Sequence, residues 1–182
     1  HDPFVQYLTK RLVPPVRAEG SNCESLLGTD HLGRDYLSRL IYGARVSMGV
    51  GFGAATLGCM IGVTIGLVAG YRGGRVDQAA SFLLTCQLAL PSLLLAMALV
   101  FFVGSSVITL IVVLGVLHWQ YYMVVTRTLT RQIRALEYVS AARSIGSNDR
   151  QVLFYEILPN LLNQIIVVSS LEMAVAIIHE AS

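Results

Sequence analysis

At 182 residues, with 54% hydrophobic and only 13% charged side chains, the chain falls outside the range of ordinary soluble domains. Its net charge of +2 is spread thinly, with no run of Lys or Arg, which argues against nucleic acid as a partner. No charge falls between Arg45 and Arg72, or between Asp77 and Arg127 if His118 is neutral, and either gap is long enough for the ~20 apolar residues that cross a bilayer.

Residues 1–28 carry Pro3, Pro14, Pro15, Gly20 and Gly28 among mixed charges and predict an extended aqueous arm. Asp30 is placed to cap a helix running to about Tyr42. Leu32, Tyr36, Leu37, Leu40 and Ile41 lie along one side of it, and Asp35 is set to pair with Arg39 at i,i+4 on the other. The division expected is an extracytoplasmic arm and surface helix over 1–42, then a transmembrane domain over 43–182. A start at His1, and an end at Ser182 directly after an apolar stretch, predict a portion of a longer protein.

The first span is predicted over 46–70, where Gly58, Gly62, Gly66 and Gly70 recur every fourth residue and Ala54 extends the series. Such a small-residue stripe lets another helix approach closely in lipid, where association depends on packing; the plainer reading is glycine merely tolerated in a membrane helix. The run Gly49-Val50-Gly51-Phe52-Gly53 lacks the spacing of a nucleotide loop, and no strand precedes it.

A polar turn over 71–77 holds Arg72 and Arg75, and a second span over 79–103 should kink at Pro91. After a turn at Gly104, a third span over 107–126 carries His118, Trp119, Gln120, Tyr121 and Tyr122 toward its end. This cluster suits an interfacial belt or helix packing, with His118 and Gln120 as candidates for lining a pathway. The loop 127–156 sets five arginines, Arg127, Arg131, Arg134, Arg143 and Arg150, against Glu137, Asp149 and Glu156. A fourth span over 157–178 contains Glu172 and is followed by His179 and Glu180. The fold class expected is all-α, a polytopic helical membrane protein. The arginines beside the third span place loop 127–156 and the Arg72/Arg75 turn in the cytoplasm, and the arm and Gly104 outside.

Cys59 and Cys86 lie in apolar segments and Cys23 stands alone, so neither a disulfide framework nor a CxxC site is expected. His118, His179, Glu172 and Glu180 raise the alternative of intramembrane catalysis. Without paired carboxylates or HExxH spacing, no catalytic residue and no metal site is assigned. Glu172 has three readings: a structural partner for an arginine, a candidate pathway residue, or the coupling group of a proton-driven secondary carrier.

Within the charged loop, Glu137-Tyr138-Val139-Ser140-Ala141-Ala142-Arg143-Ser144-Ile145-Gly146 predicts a short helix stopped by glycine, and a second helix reaches Leu158-Pro159. Ala141 and Ala142 leave room for another protein to come close. Ala141-Ala142, Gly146 and Leu158-Pro159 resemble, in their spacing, the "EAA" loop of permease subunits in bacterial ABC importers. Ser140 stands where that motif has Glu, with Glu137 three residues earlier, and Ile157 is one place late.

Gly28-Thr29-Asp30-His31-Leu32-Gly33-Arg34-Asp35, Ser38-Arg39, Gly43-Ala44-Arg45, Gly73-Gly74-Arg75-Val76-Asp77 and Leu158-Pro159-Asn160 further resemble the C-type permease of dipeptide, oligopeptide and nickel importers. The resemblance implies a type I ABC importer permease fold, of which about four of six spans are present, in the bacterial inner membrane. It implies a second permease subunit, two ATPase subunits and an extracytoplasmic solute-binding protein as partners. ATP and Mg would sit on the ATPases, with no cofactor on this subunit. The implied docking residues are Glu137, Tyr138, Ala141, Ala142, Arg143, Gly146, Leu158 and Pro159.

Overall fold

The computed structural model describes residues 5–7, 9–16 and 25–180; Cys23, Pro3 and Gly20 lie outside the described residues. The chain divides into two compact units, His1–Gly49 and Val50–Ser182.

In the first unit, Asp30 does not cap a helix. It organises a turn instead, its Oδ1 accepting from the backbone N–H of Leu32 (2.8 Å) and Arg34 (3.0 Å), and its Oδ2 from Arg34 Nε (2.9 Å) and Arg39 Nη1 (2.6 Å). Desolvation opposes the charge, but the hydrogen bonds from Arg34 and Leu32 outweigh it and hold the carboxyl well below the usual carboxylate range. Arg39 therefore pairs with Asp30 and not with the expected Asp35. Asp35 is the cap, its Oδ2 accepting from the Ser38 backbone N–H at 3.0 Å.

Helix α1 runs from Tyr36 to Arg72 without interruption, so the expected surface helix and first span are one element. Isolated Gly43 and Gly49 are too weak to stop a helix, and no proline intervenes. Its 37 residues extend about 55 Å, well beyond the ~30 Å hydrocarbon core. The expected polar turn also starts later, because Tyr71 and Arg72 are helical; Gly73 and Gly74, with φ +65° and +51°, make the turn.

Helix α2 (Gly74–Ala89) and α3 (Ser92–Val103) replace the single kinked span. Pro91 breaks the helix outright, with a 90° bend. Leu90 is extended (φ −97°, ψ 133°), the conformation that a following proline imposes.

Helix α4 (Val107–Arg134) continues past the expected end at 126 and takes in Arg127, Arg131 and Arg134. Asp77 in the first turn of α2 explains the extension: it accepts from Arg127 Nε (2.5 Å) and Nη2 (2.8 Å), and pairs with Arg131. These arginines are helical partners of α2, not loop residues. Beyond them come α5 (Glu137–Ser144), α6 (Asp149–Gln151), a π-helical stretch Val152–Ile157, and α7 (Leu158–Glu180).

The glycine stripe fixes how the spans cross. A Cβ on Gly58 would lie 3.2 Å from the carbonyl oxygen of Gly115, on Gly66 2.6 Å from that of Met123, and on Gly70 2.7 Å from that of Arg127. Gly62 meets the Trp119 carbonyl more closely still. Contacts advance in the same direction along both helices, so α1 and α4 are parallel. The chain must recross between them, and α2 with α3 forms that one bent crossing. Helix α7 runs the opposite way, with Ile177 and the Met173 carbonyl beside Gly51 and with Leu161 in a buried cluster beside Leu67 and Tyr71. The architecture is therefore a four-span helical bundle with no strand among the described residues.

Candidate functional site

The segment that joins α4 to α7 is held from below and exposed above. Val139, Val152 and Ile157 are completely buried, and together with Leu161 they close over Leu67 and Tyr71 at the end of α1. Tyr71 Oη donates to Asp149 Oδ1 at 2.5 Å, and the Arg143 guanidinium lies 4.9 Å from the centre of the Tyr71 ring. One buried tyrosine thus ties both halves of the segment to the first span.

Local chemistry sets the turn. The Gly146 N–H donates to Arg143 O and the Ser147 N–H to Ala142 O, the paired bonds of a Schellman stop, with Gly146 at φ +98°. Asn148 opens the next helix by a capping box. Its side chain accepts from Arg150 N at 3.2 Å, while Gln151 Oε1 accepts from Asn148 N at 2.9 Å.

Pro159 does not end this helix, which continues through it into the span. A proline ring crowds the carbonyl four residues back and offers no N–H, and the wider π turn just before it relieves both demands. Asn160 Nδ2 donates to Glu156 O at 2.6 Å, and Tyr138 Oη approaches the same carbonyl at 3.4 Å. Of the residues expected to dock, Glu137, Tyr138, Ala141, Arg143, Gly146 and Pro159 are exposed; Ala142 and Leu158 are half-buried. Ile145 and Tyr155, 87% and 77% exposed, add an apolar surface beside them.

The candidate pathway residues separate. Glu172 and Gln120 line a common cavity of about 430 Å³ among α2, α4 and α7. Glu172 is only 7% exposed, and neither its Oε2 nor Gln120 Oε1 has a hydrogen-bond partner among the described residues. His118 is elsewhere, its ring 5.3 Å from that of His179. Trp119 and Tyr122 are buried in helix packing, whereas Tyr121 is exposed.

The sequence alone assigns no anchoring role to Tyr71, Asp149 or Val139. A tyrosine directly after the last glycine of the stripe is the signal that could have drawn attention to Tyr71. Among the described residues no cluster of three or more His, Cys, Asp or Glu could hold a metal.

The described residues thus form a helical bundle with apolar, span-length helices and an exposed, anchored helix-turn-helix at one end. Residues 62–182 match the family of binding-protein-dependent transport system inner membrane components, and the chain belongs to that family. It is 36% identical over its whole length to a di/tripeptide transport system permease protein of Pseudomonas aeruginosa, covering 60% of that protein. It is 36% identical, over 100% of its length and 61% of the relative's, to a dipeptide transport system permease protein of Haemophilus influenzae. A glutathione transport system permease protein of Pectobacterium atrosepticum is 36% identical over 90% of this chain and 54% of its own. The chain spans about three fifths of the length of such relatives.

Proposed function

We propose that this chain forms half of the translocation pathway of an ATP-driven importer for peptides or similarly small polar solutes. In this reading segment 137–160 receives a cytoplasmic ATPase, a second permease subunit completes the pathway, two ATPase subunits act beneath the pair, and an extracytoplasmic binding protein delivers the solute. The subunit itself contributes no hydrolytic group; ATP and Mg belong to the ATPases.

The anchoring of the 137–160 segment carries this reading. Val139, Ile157 and the Tyr71–Asp149 bond join it to α1, and its second helix is continuous with α7. A push on the exposed Ala141–Ile145 surface is therefore delivered to two spans together, as a lever and not as a yielding loop. Closure of the ATPases on ATP would rock these spans between two openings. A proton-driven carrier has no use for such a surface.

The test is ATP-dependent uptake of labelled dipeptide by vesicles holding the assembled importer, compared with Gly146→Pro. Proline cannot adopt φ +98° and removes the N–H given to Arg143 O. Uptake lost together with ATPase association supports the reading; uptake driven by a proton gradient without ATP contradicts it.

A further inference from the structure

The cavity holding Glu172 and Gln120 has features that general packing of a membrane bundle does not require. Its walls are apolar, including Leu84, Leu88, Val124 and Leu171, yet two of its lining residues, Glu172 and Gln120, each carry a buried side-chain oxygen, Oε2 and Oε1, with no donor among the described residues. Leaving such acceptors unmatched away from water costs about 1–3 kcal/mol each, more for a charged group. Both lack the same thing, an N–H or O–H.

A third source of negative potential adjoins them. A second cavity of about 310 Å³ shares Leu88 and Gln120 with the first and is lined by Gln87, Leu90, Pro91 and Ser92 at the break between α2 and α3. Because α2 stops at Ala89, its last carbonyls have no further helical turn to meet them; the Leu90 N–H caps Gln87 O at 3.2 Å, and the end of the helix carries partial negative charge. The break is held in place against α4 by Gln87 Nε2, which donates to Leu117 O at 2.7 Å and Val116 O at 3.2 Å. A broken helix end facing a cavity within a membrane bundle is a means of holding a charged group there.

We infer that these adjoining cavities form a subsite for an ammonium group, the amino terminus of a peptide in transit, with Glu172 and Gln120 as its acceptors. The chemistry fits at each point: three donors on a compact cation, a carboxylate and an amide oxygen to receive them, a helix C-terminus beside them, and leucine and valine walls for the first side chain. The size fits as well, since each cavity is of the order that small ligands occupy, roughly 300–1,000 Å³. A lysine or arginine reaching in from the second permease subunit would need a slot, not room of this extent. The inference rests on the importer reading and identifies where that importer would grip its solute.

The experiment uses the assembled importer in lipid nanodiscs without its binding protein, so that selectivity elsewhere cannot intervene. Thermal unfolding is followed against increasing alanyl-alanine or N-acetyl-alanyl-alanine, which differ in the ammonium group. Wild type should be stabilised by the first at concentrations at least about tenfold lower than by the second. Glu172→Gln should erase that difference while still co-purifying with the second permease subunit and the ATPases, and Gln120→Leu should narrow it. If Glu172→Gln does not assemble stably on its own account, Gln120→Leu decides.

No stabilisation by either peptide, equal response to both, or discrimination that survives both substitutions overturns the subsite. Specific loss of the second permease subunit from Glu172→Gln would show that a cation of that subunit occupies the cavity, and overturns it equally. Failure of the importer reading would look different: wild-type vesicles would show no ATP-dependent uptake at all, whereas the subsite can fail with uptake intact.

Discussion

The seam between α1 and α4 and the 137–160 segment are both tightly held, by opposite means. The seam works by omission: at Gly58, Gly62, Gly66 and Gly70 no side chain intervenes, and carbonyl oxygens of α4 crowd against the positions that Cβ atoms would take. The 137–160 segment works by addition, with a Schellman stop, a capping box, a tyrosine–aspartate bond and three completely buried apolar side chains. The difference follows from the solvent. In lipid there is no hydrophobic gain from bringing helices together, so close backbone approach must supply the attraction. At the charged end of the bundle water competes for every polar group, so caps and buried anchors are needed to give one conformation.

The comparison predicts which substitutions each region tolerates. Gly66→Leu should have the largest effect, because its Cβ would meet the backbone carbonyl of Met123 at 2.6 Å and backbone cannot step aside as a flexible side chain can. We expect a loss of about 3 kcal/mol or more, read as loss of folded protein on mild detergent extraction and heating. Val139→Ala should cost about 2 kcal/mol, since it empties a completely buried site, and should loosen the segment without disturbing the spans; hydrogen exchange would localise the change to 137–157.

Smaller effects separate the regions further. Gly146→Ala places a Cβ at φ +98° in otherwise open space, so it should cost about 1–2 kcal/mol from backbone strain alone. Tyr71→Phe retains the buried ring and removes only the donor to Asp149, a loss of about 1 kcal/mol, with protease accessibility rising near Asn148 and not in the spans. An equal response of seam and segment to Val139→Ala would break the comparison.

Much of this was legible in the sequence, for reasons the residues make plain. The four-residue recurrence of glycine is a geometric statement about one helix face, and a helix face survives any folding context. Gly146 was legible because a glycine after Ala141-Ala142 has one common use at a helix end. The caps were less so: Asp30 and Asp35 both precede the helix, and only tertiary hydrogen bonds decide that Asp35 caps it while Asp30 binds Arg34 and Arg39.

Pro91 was visible as a disturbance but not as a 90° break, because the angle depends on the extended Leu90 and on Gln87 holding α2 to α4. A linear pattern groups Arg127 and Arg131 with the loop because it does not show Asp77, fifty residues away in the chain for Arg127, as their partner. Glu172 and Gln120 stand out in the sequence as polar groups within apolar spans, yet only the packing of three helices shows that they share a cavity and that His118 does not.

Site-specific crosslinking in membranes tests directly whether segment 137–160 is where an ATPase docks. In a background with Cys23, Cys59 and Cys86 replaced by serine, Ile145→Cys and Ser105→Cys would each be treated with a short bifunctional thiol reagent in the presence of the ATPase subunits. Docking on segment 137–160 should give a crosslinked ATPase from Ile145→Cys and none from Ser105→Cys, at the opposite end of the bundle. An ATPase captured at position 105, or at neither position in an importer that still takes up peptide with ATP, would contradict it.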